Sequence, residues 1–278
     1  LIRSLAVLLL LSAPLAARAD ISLDGRLVQG GLVLGTVAPG SVVTLDGERV
    51  RVAKDGRFVI GFAHDARASH TLVARLPDGR TETRKLKVEK RTYDVQRIDG
   101  LPQDKVTPPE SELPRIRAET ALIVAARHHD TPTPWFARGF VWPARGRISG
   151  VYGSQRILNG EPRAPHLGVD VAAPAGTPVV AAAAGIVRLV HPDMYYTGGT
   201  LIIDHGHGVS TLYIHLSAVE VKDGERVEQG QRIGAVGMTG RATGPHLHWG
   251  LHWFDAKLDP ALVVGPMAAP PQGSEIAR

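Results

Sequence analysis

Thr243-Gly244-Pro245-His246-Leu247-His248-Trp249-Gly250-Leu251-His252-Trp253 is a strand, His246 to Trp253, entered through a Gly-Pro break. Alternate residues of a strand share a face, so the imidazoles of His246 and His248 project to the same side. His252 has the same parity. Outward from this stretch, the chain from Trp135 to about Val264 reads as further strands: Val179 to Ala183, Ile186 to Val190, Thr200 to Asp204, Ser210 to His215 and Arg232 to Val236. Gly or Pro stands at almost every turn between them, and few helical patterns interrupt the run.

The residues from Asp20 to about Tyr93 carry the same signature. Short apolar runs at Leu32 to Val37, Ser41 to Leu45, Val50 to Val52, Phe58 to Ile60, Thr71 to Leu76 and Thr83 to Val88 predict strands. Asp46-Gly47, Asp55-Gly56 and Asp78-Gly79 lie between them, and Asp-Gly supplies the positive φ angles of tight hairpins. An antiparallel β-sandwich is expected over 20–93. Between Asp94 and Pro134 six prolines bracket one helix-forming stretch, Arg115 to His129, which predicts a Pro-rich connecting arm. The adjacent His128 and His129 point about 100° apart on a helix and are expected at the surface. A β domain then occupies 135–265, and the tail 266–278 has a disordered composition. The fold class is mainly β.

At 278 residues the chain is long enough for two domains with separate cores. Arg3, the apolar run Leu5 to Leu11 and the small residues Ala16-Ala17-Arg18-Ala19 match a secretory signal peptide cleaved after Ala19. The apolar run falls far short of the ~20 residues that span a bilayer, so no stable membrane insertion is expected. Export to a Gram-negative periplasm follows, with an extracellular location as the alternative. The chain has no cysteine, so disulfides and a lipobox are excluded, and any metal must be held by His, Asp or Glu. Its formal charge of +5 falls to +3 without Arg3 and Arg18. That mild basicity suits an anionic wall polymer, whereas no Lys/Arg run points to nucleic acid.

Eight of the twelve histidines lie in the second β domain. In His166-Leu-Gly-Val-Asp170 the two polar side chains share parity with Gly168, so an extended segment presents both on one open face. Tyr213-Ile214-His215 ends a strongly β-forming run. A catalytic zinc site takes three His or carboxylate ligands and keeps one position open, with bonds near ~2 Å. This domain holds residues of the required types.

The segment from about Phe140 to Trp253 resembles the lysostaphin-type zinc metallopeptidases, the M23 or LytM family. The resemblance rests on Trp142-Pro143, Ile148-Ser149-Gly150-Val151-Tyr152-Gly153, His166-Leu-Gly-Val-Asp170, Ala173 to Val179, Ala184-Gly185-Ile186-Val187, His205-Gly206, Tyr213-Ile-His215-Leu-Ser217, Gly230-Gln231, Ile233-Gly234, Thr239-Gly240 and Thr243-Gly244-Pro245-His246-Leu-His248. It implies an antiparallel peptidase domain with a sandwiched-hybrid-like sheet, and one Zn2+ per chain held by His166, Asp170 and His248. It implies that His215 and His246 are the catalytic pair, assisting attack of a metal-activated water by taking a proton and stabilising the charged intermediate. The implied activity is hydrolysis of peptide cross-links between peptidoglycan stem peptides, at D-alanine-diaminopimelate bonds or, alternatively, Gly-Gly bridges. Tyr152 stands where the family commonly has Phe, and the segment Gln155 to Pro165 is short. The N-terminal stretch resembles immunoglobulin-like accessory domains of exported bacterial proteins.

Two other readings bear on function. Gly176 to Val190 and Gly224 to Val236 resemble biotinyl and lipoyl carrier domains, but Met238 is followed by Thr239 and no modifiable Lys is near. A non-enzymatic regulator of wall hydrolases would share the fold, yet such relatives have lost ligands, and all five positions are present here. His205 and His207 are expected in a turn able to line the groove, and His191 in a loop.

Overall fold

Alternation of apolar and polar residues builds the N-terminal unit. A computed structural model describes residues 21–267; the expected signal peptide and all of the expected tail beyond Met267 lie outside these. Ile21–Asp24 (β1), Leu32–Val37 (β2), Val42–Leu45 (β3), Glu48–Val50 (β4), Arg57–Gly61 (β5), Ser69–Arg75 (β6) and Thr81–Lys87 (β7) form two antiparallel sheets, ordered β1-β2-β5 and β4-β3-β6-β7. Val33, Phe58 and Ile60 of the first sheet meet Val43, Leu72 and Ala74 of the second in one core, each fully buried. The two sheets thus make a sandwich; its immunoglobulin-like kinship stays an expectation from the strand pattern. At the β3–β4 hairpin Asp46 and Gly47 have φ of 54° and 92°, the geometry their Asp-Gly pair predicts.

The connecting arm is more ordered than its composition suggests. It contains a strand, Val95–Ile98 (β8), a single helical turn, Gln103–Val106 (α1), and a helix, Leu113–Arg127 (α2). The helix starts two residues before the predicted stretch because Pro114 falls in its first turn, where a missing N–H costs nothing. His128 and His129 are exposed, as expected.

The second unit comprises Arg147–Gly150 (β9), Gln155–Leu158 (β10), Glu161–Pro162 (β11), Val169–Ala172 (β12), Pro178–Val180 (β13), Gly185–Met194 (β14), Gly198–Asp204 (β15), Val209–Val219 (β16), Arg226–Val227 (β17), Arg232–Val236 (β18), His246–Trp253 (β19) and Ala256–Leu258 (β20). Its main sheet runs β17-β14-β15-β16-β19-β12-β9, with β18 bonded to β16 and β13, and β20 to β19. A smaller sheet pairs β10 antiparallel with β11 and parallel with β8, so the arm is stitched into the domain.

β19 fixes the orientation of everything else. Leu247, Trp249 and Leu251 are completely buried on one face. His246, His248 and His252 project from the other, with Gly250 leaving a gap between them. The sandwich docks on the side of Leu251: Leu32 and Val59 pack with Phe136, Val209, Leu251 and Leu258, and Arg91 pairs with Asp259 at 2.8 Å. Gly61 permits this approach, since a Cβ there would lie 2.9 Å from Cβ of Trp253. The histidine face is left to the connecting arm.

Candidate metal centre and groove

β12 and β19 are antiparallel neighbours in a register that sets Asp170 directly opposite His248. Opposed residues hold their Cβ atoms about 4.5–5.5 Å apart, close enough for two side chains to share an ion. His166 arrives differently from the strand alternation expected of it. It lies in the loop before β12, where its backbone N–H donates to Ser154 O at 2.8 Å. Its Nδ1 donates to Val151 O at 3.1 Å, which leaves Nε2 as a bare lone pair. That Nε2 is 2.9 Å from Asp170 Oδ1 and 2.8 Å from His248 Nδ1, and the last two atoms are 2.8 Å apart.

This donor set fits a metal. With His248 in the tautomer that bares Nδ1, three atoms rich in lone pairs converge on one point with no hydrogen available from His166, and a cation would satisfy all three together. Two glycines keep the cradle clear. A Cβ on Gly168 would stand 2.5 Å from His248 Nε2, and one on Gly150 would stand 2.3 Å from Asp170 Oδ2. Among the described residues, His166, Asp170 and His248 form the one group of this kind.

His215 and His246 flank the cradle. Their rings are 4.7 Å apart, and the His215 ring is 6.4 Å from that of His248. β16 does not end at His215 but runs on to Val219, with irregular pairing on both sides of this residue. His215 has φ 64°. A β-bulge with a left-handed residue re-aims a side chain that simple alternation would send into the core beside Tyr213. Both unligated histidines are held in one tautomer. Nδ1 of His215 donates to Thr239 O, and Nδ1 of His246 to Gly244 O, each at 2.8 Å. Each Nε2 is therefore free to accept a proton.

The local field is asymmetric. Burial alone would raise the pKa of Asp170, but the contacts with His166 and His248 outweigh it and hold the carboxyl well below the usual range. Burial, helped by the neighbouring His246 and His248, lowers His215 to about 3, and burial lowers His248 to about 4. Asp170 Oδ2 accepts from Arg156 Nη2 at 2.9 Å. Arg156 escapes sequence reasoning because the segment Gln155 to Pro165 carries no signal beyond its length. The remaining histidines stand apart. His205 and His207 do not line the groove: His205 is fully buried with Nδ1 donating to Ala184 O at 2.7 Å, and His207 reaches Pro132 O at 3.0 Å. His191 lies within β14 rather than in a loop.

The connecting arm crosses the histidine face as a strap. Leu101 and Val106 pack on Leu158 of β10, while Lys105 Nζ donates to Tyr195 O at 3.1 Å and Tyr195 OH to Asp104 O at 2.7 Å. Arg163 donates to Val106 O at 3.0 Å and Arg241 to Lys105 O at 3.3 Å. A cavity of about 310 Å³ on one side reaches Asp170 and His246. Another of about 690 Å³ on the other reaches His166, His215 and His248.

The pattern named Peptidase family M23 matches residues 164–260. A solved structure from Pseudomonas aeruginosa, described as an M23 peptidase, is 30% identical with a TM-score of 0.67, covering 86% of this chain and 95% of that one. The chain belongs to peptidase family M23. It is also 30% identical over 271 residues to the peptidoglycan DD-endopeptidase ShyA of Vibrio cholerae, covering 95% of this chain and 56% of ShyA. It is 45% identical over 101 residues to the DD-carboxypeptidase/endopeptidase Mpg of Neisseria meningitidis, covering 36% of this chain and 23% of that one. The chain thus spans about half the length of ShyA and less of Mpg. Outside the region matched to the M23 pattern, the sandwich and the arm also fall within the ShyA alignment, which covers nearly the whole chain.

Proposed function

We propose that this M23 chain is an exported zinc endopeptidase that hydrolyses peptide cross-links between peptidoglycan stem peptides, acting in the periplasm. The observation that carries the reading is the convergence of His166 Nε2, Asp170 Oδ1 and His248 Nδ1 beside two histidines whose Nε2 atoms are free. Two imidazoles and a carboxylate suit Zn2+ and leave room for a substrate position. The names of ShyA and Mpg support the substrate class. In this reading residues 20–93 are an accessory domain, 94–134 a linker and 135–265 the peptidase domain.

When bound, the ion lowers the pKa of water toward ~7 and polarises the scissile carbonyl. The chain's own residues do the rest. Arg156 fixes the rotamer of Asp170, and Val151 O fixes the tautomer of His166. His215 is neutral at working pH because burial opposes its charge, so its Nε2 accepts a proton and readily returns it to the leaving amine. His246, with Nε2 at 4.0 Å from Asp170 Oδ1, faces the same space and donates to developing negative charge once protonated.

The test uses the mature chain and isolated peptidoglycan, with and without a zinc chelator, and mass spectrometry of released fragments. Chelation and His248→Ala should both abolish release. Equal products at equal rates from wild type and His248→Ala would sink the proposal. Muropeptide analysis separates D-alanine-diaminopimelate cleavage from Gly-Gly cleavage.

A further inference from the structure

The larger cavity does not end at the catalytic histidines. Its far end is lined by Arg127 of α2, His252 of β19 and Lys257 of β20, and no acidic side chain lines any part of it. Arg127 is only 7% exposed, and its Nε has no hydrogen-bond partner. The nearest carboxylate, Asp255, is 3.9 Å from Arg127 Nη2, is exposed, and is already bonded to His128 at 2.9 Å. His252 is 2% exposed with Nδ1 unpartnered. Among the described residues no carboxylate pairs with Lys257.

Such a cluster works against itself. Burial lowers the pKa of Arg127, and the enclosing protein together with the charge of Arg127 lowers that of Lys257, although the lysine side chain is exposed to solvent. Burial, then Arg127 and Lys257, push His252 well down. Positive charges held together beside a groove, with one long and solvent-exposed ion pair to Asp255 between them, are better satisfied when an anion arrives to meet them.

We infer that Arg127 and Lys257 form an anion subsite that receives a side carboxylate of the stem peptide, with Leu212 and His252 lining the way to it. The inference rests on the peptidoglycan reading above and adds a specificity determinant to it. His252 lies four residue steps along the strand from His248, about 13 Å at ~3.3 Å per residue. An extended peptide covers that span in three or four residues. Gly250 lets the lining side chains of His252 and Leu212 pack close together: a Cβ there would stand 3.3 Å from His252 Cε1 and 3.4 Å from Leu212 Cβ. The recognised carboxylate therefore lies three or four residues from the scissile bond.

The test measures binding apart from turnover. Titration calorimetry on the full mature chain uses two soluble, uncross-linked stem tetrapeptides, both C-terminally amidated, one with free and one with amidated side carboxylates. Wild type should bind the free form roughly tenfold more tightly, the worth of one charge-assisted hydrogen bond at a partly solvated site. Lys257→Gln should erase that preference and Lys257→Arg should retain most of it; Lys257 is exposed, so both variants should fold. Equal binding of the two peptides by wild type, including none detectable, overturns the subsite, as does an unchanged preference in Lys257→Gln. Hydrolysis of a cross-linked dimer is scored separately. A carboxylate preference without hydrolysis keeps the subsite and removes the peptidase reading, whereas hydrolysis without a preference does the reverse.

Discussion

Arg156→Met isolates the electrostatic support of the metal cradle, because Met fills much of the arginine stem and removes only the guanidinium. The ion pair with Asp170 is 2.9 Å long, with the two side chains 21% and 8% exposed. A charge-assisted hydrogen bond at such a site contributes about 1.5–3 kcal/mol, and the partial exposure of Arg156 argues for the lower half. Asp170 Oδ2 would then be a buried acceptor without its cation, so the metal-free chain should lose about 2 kcal/mol. Zinc held by His166, Asp170 and His248, as proposed, would supply positive charge at the same carboxylate, and the loss should fall below about 1 kcal/mol in the loaded chain. Linkage requires the variant to gain more stability from zinc than wild type does. Urea denaturation of both proteins, chelator-treated and zinc-saturated, reads this directly. The same loss in both states, or a loss under about 0.5 kcal/mol without metal, would refute the reasoning.

Gly168→Ala should cost at least tenfold in zinc affinity, measured by competition with a chromophoric chelator, because its Cβ would meet His248 Nε2 at 2.5 Å; unaltered affinity would mean the cradle is not where it has been drawn. His205, lowered to about 4 by burial, is neutral when folded but protonates near 6.5 when unfolded. Its contribution is therefore present above pH 6.5 and lost as pH falls toward 4, so wild type should lose about 2–3 kcal/mol more between pH 7 and 4.5 than His205→Gln does in urea melts; parallel pH profiles would contradict this. Val106→Asp places a charge in the Leu101–Leu158 contact and should free the strap, raising the rate on intact wall material severalfold in a dye-release assay; an unchanged rate would show that the strap does not limit access.

The sequence is most legible where side-chain pattern and backbone geometry agree. Leu32–Val37, Arg232–Val236 and His246–Trp253 have the bounds that alternation and turn residues predict. The arm strand β8 was hidden because Val95-Gln96-Arg97-Ile98 has no apolar face of its own and exists through pairing with distant β10. The site divides the same way. Asp170 and His248 meet through simple register, whereas His166 reaches them from a loop and His215 through a bulge, and neither departure has a periodic signal. His205 reads as a groove-lining turn residue because Gly206 follows it; burial decides its role, and no local pattern encodes burial of a single imidazole. Arg156 lies 14 residues from Asp170, so only the fold reveals that they touch.

The strap between the two cavities has a topological consequence. A short free peptide has an end and can be threaded beneath a bridge of chain that stays closed. In the proposed reading the substrate is a cross-linked wall, a net without nearby ends, and if the strap limits access such a net would reach the three converging atoms only while the bridge is lifted. For the net, the apparent rate would then be the intrinsic rate multiplied by the fraction of molecules that are open, whereas for the free peptide that factor would drop out. The same catalytic groups would then behave as two enzymes, one gated and one not, distinguished by whether the substrate has an end.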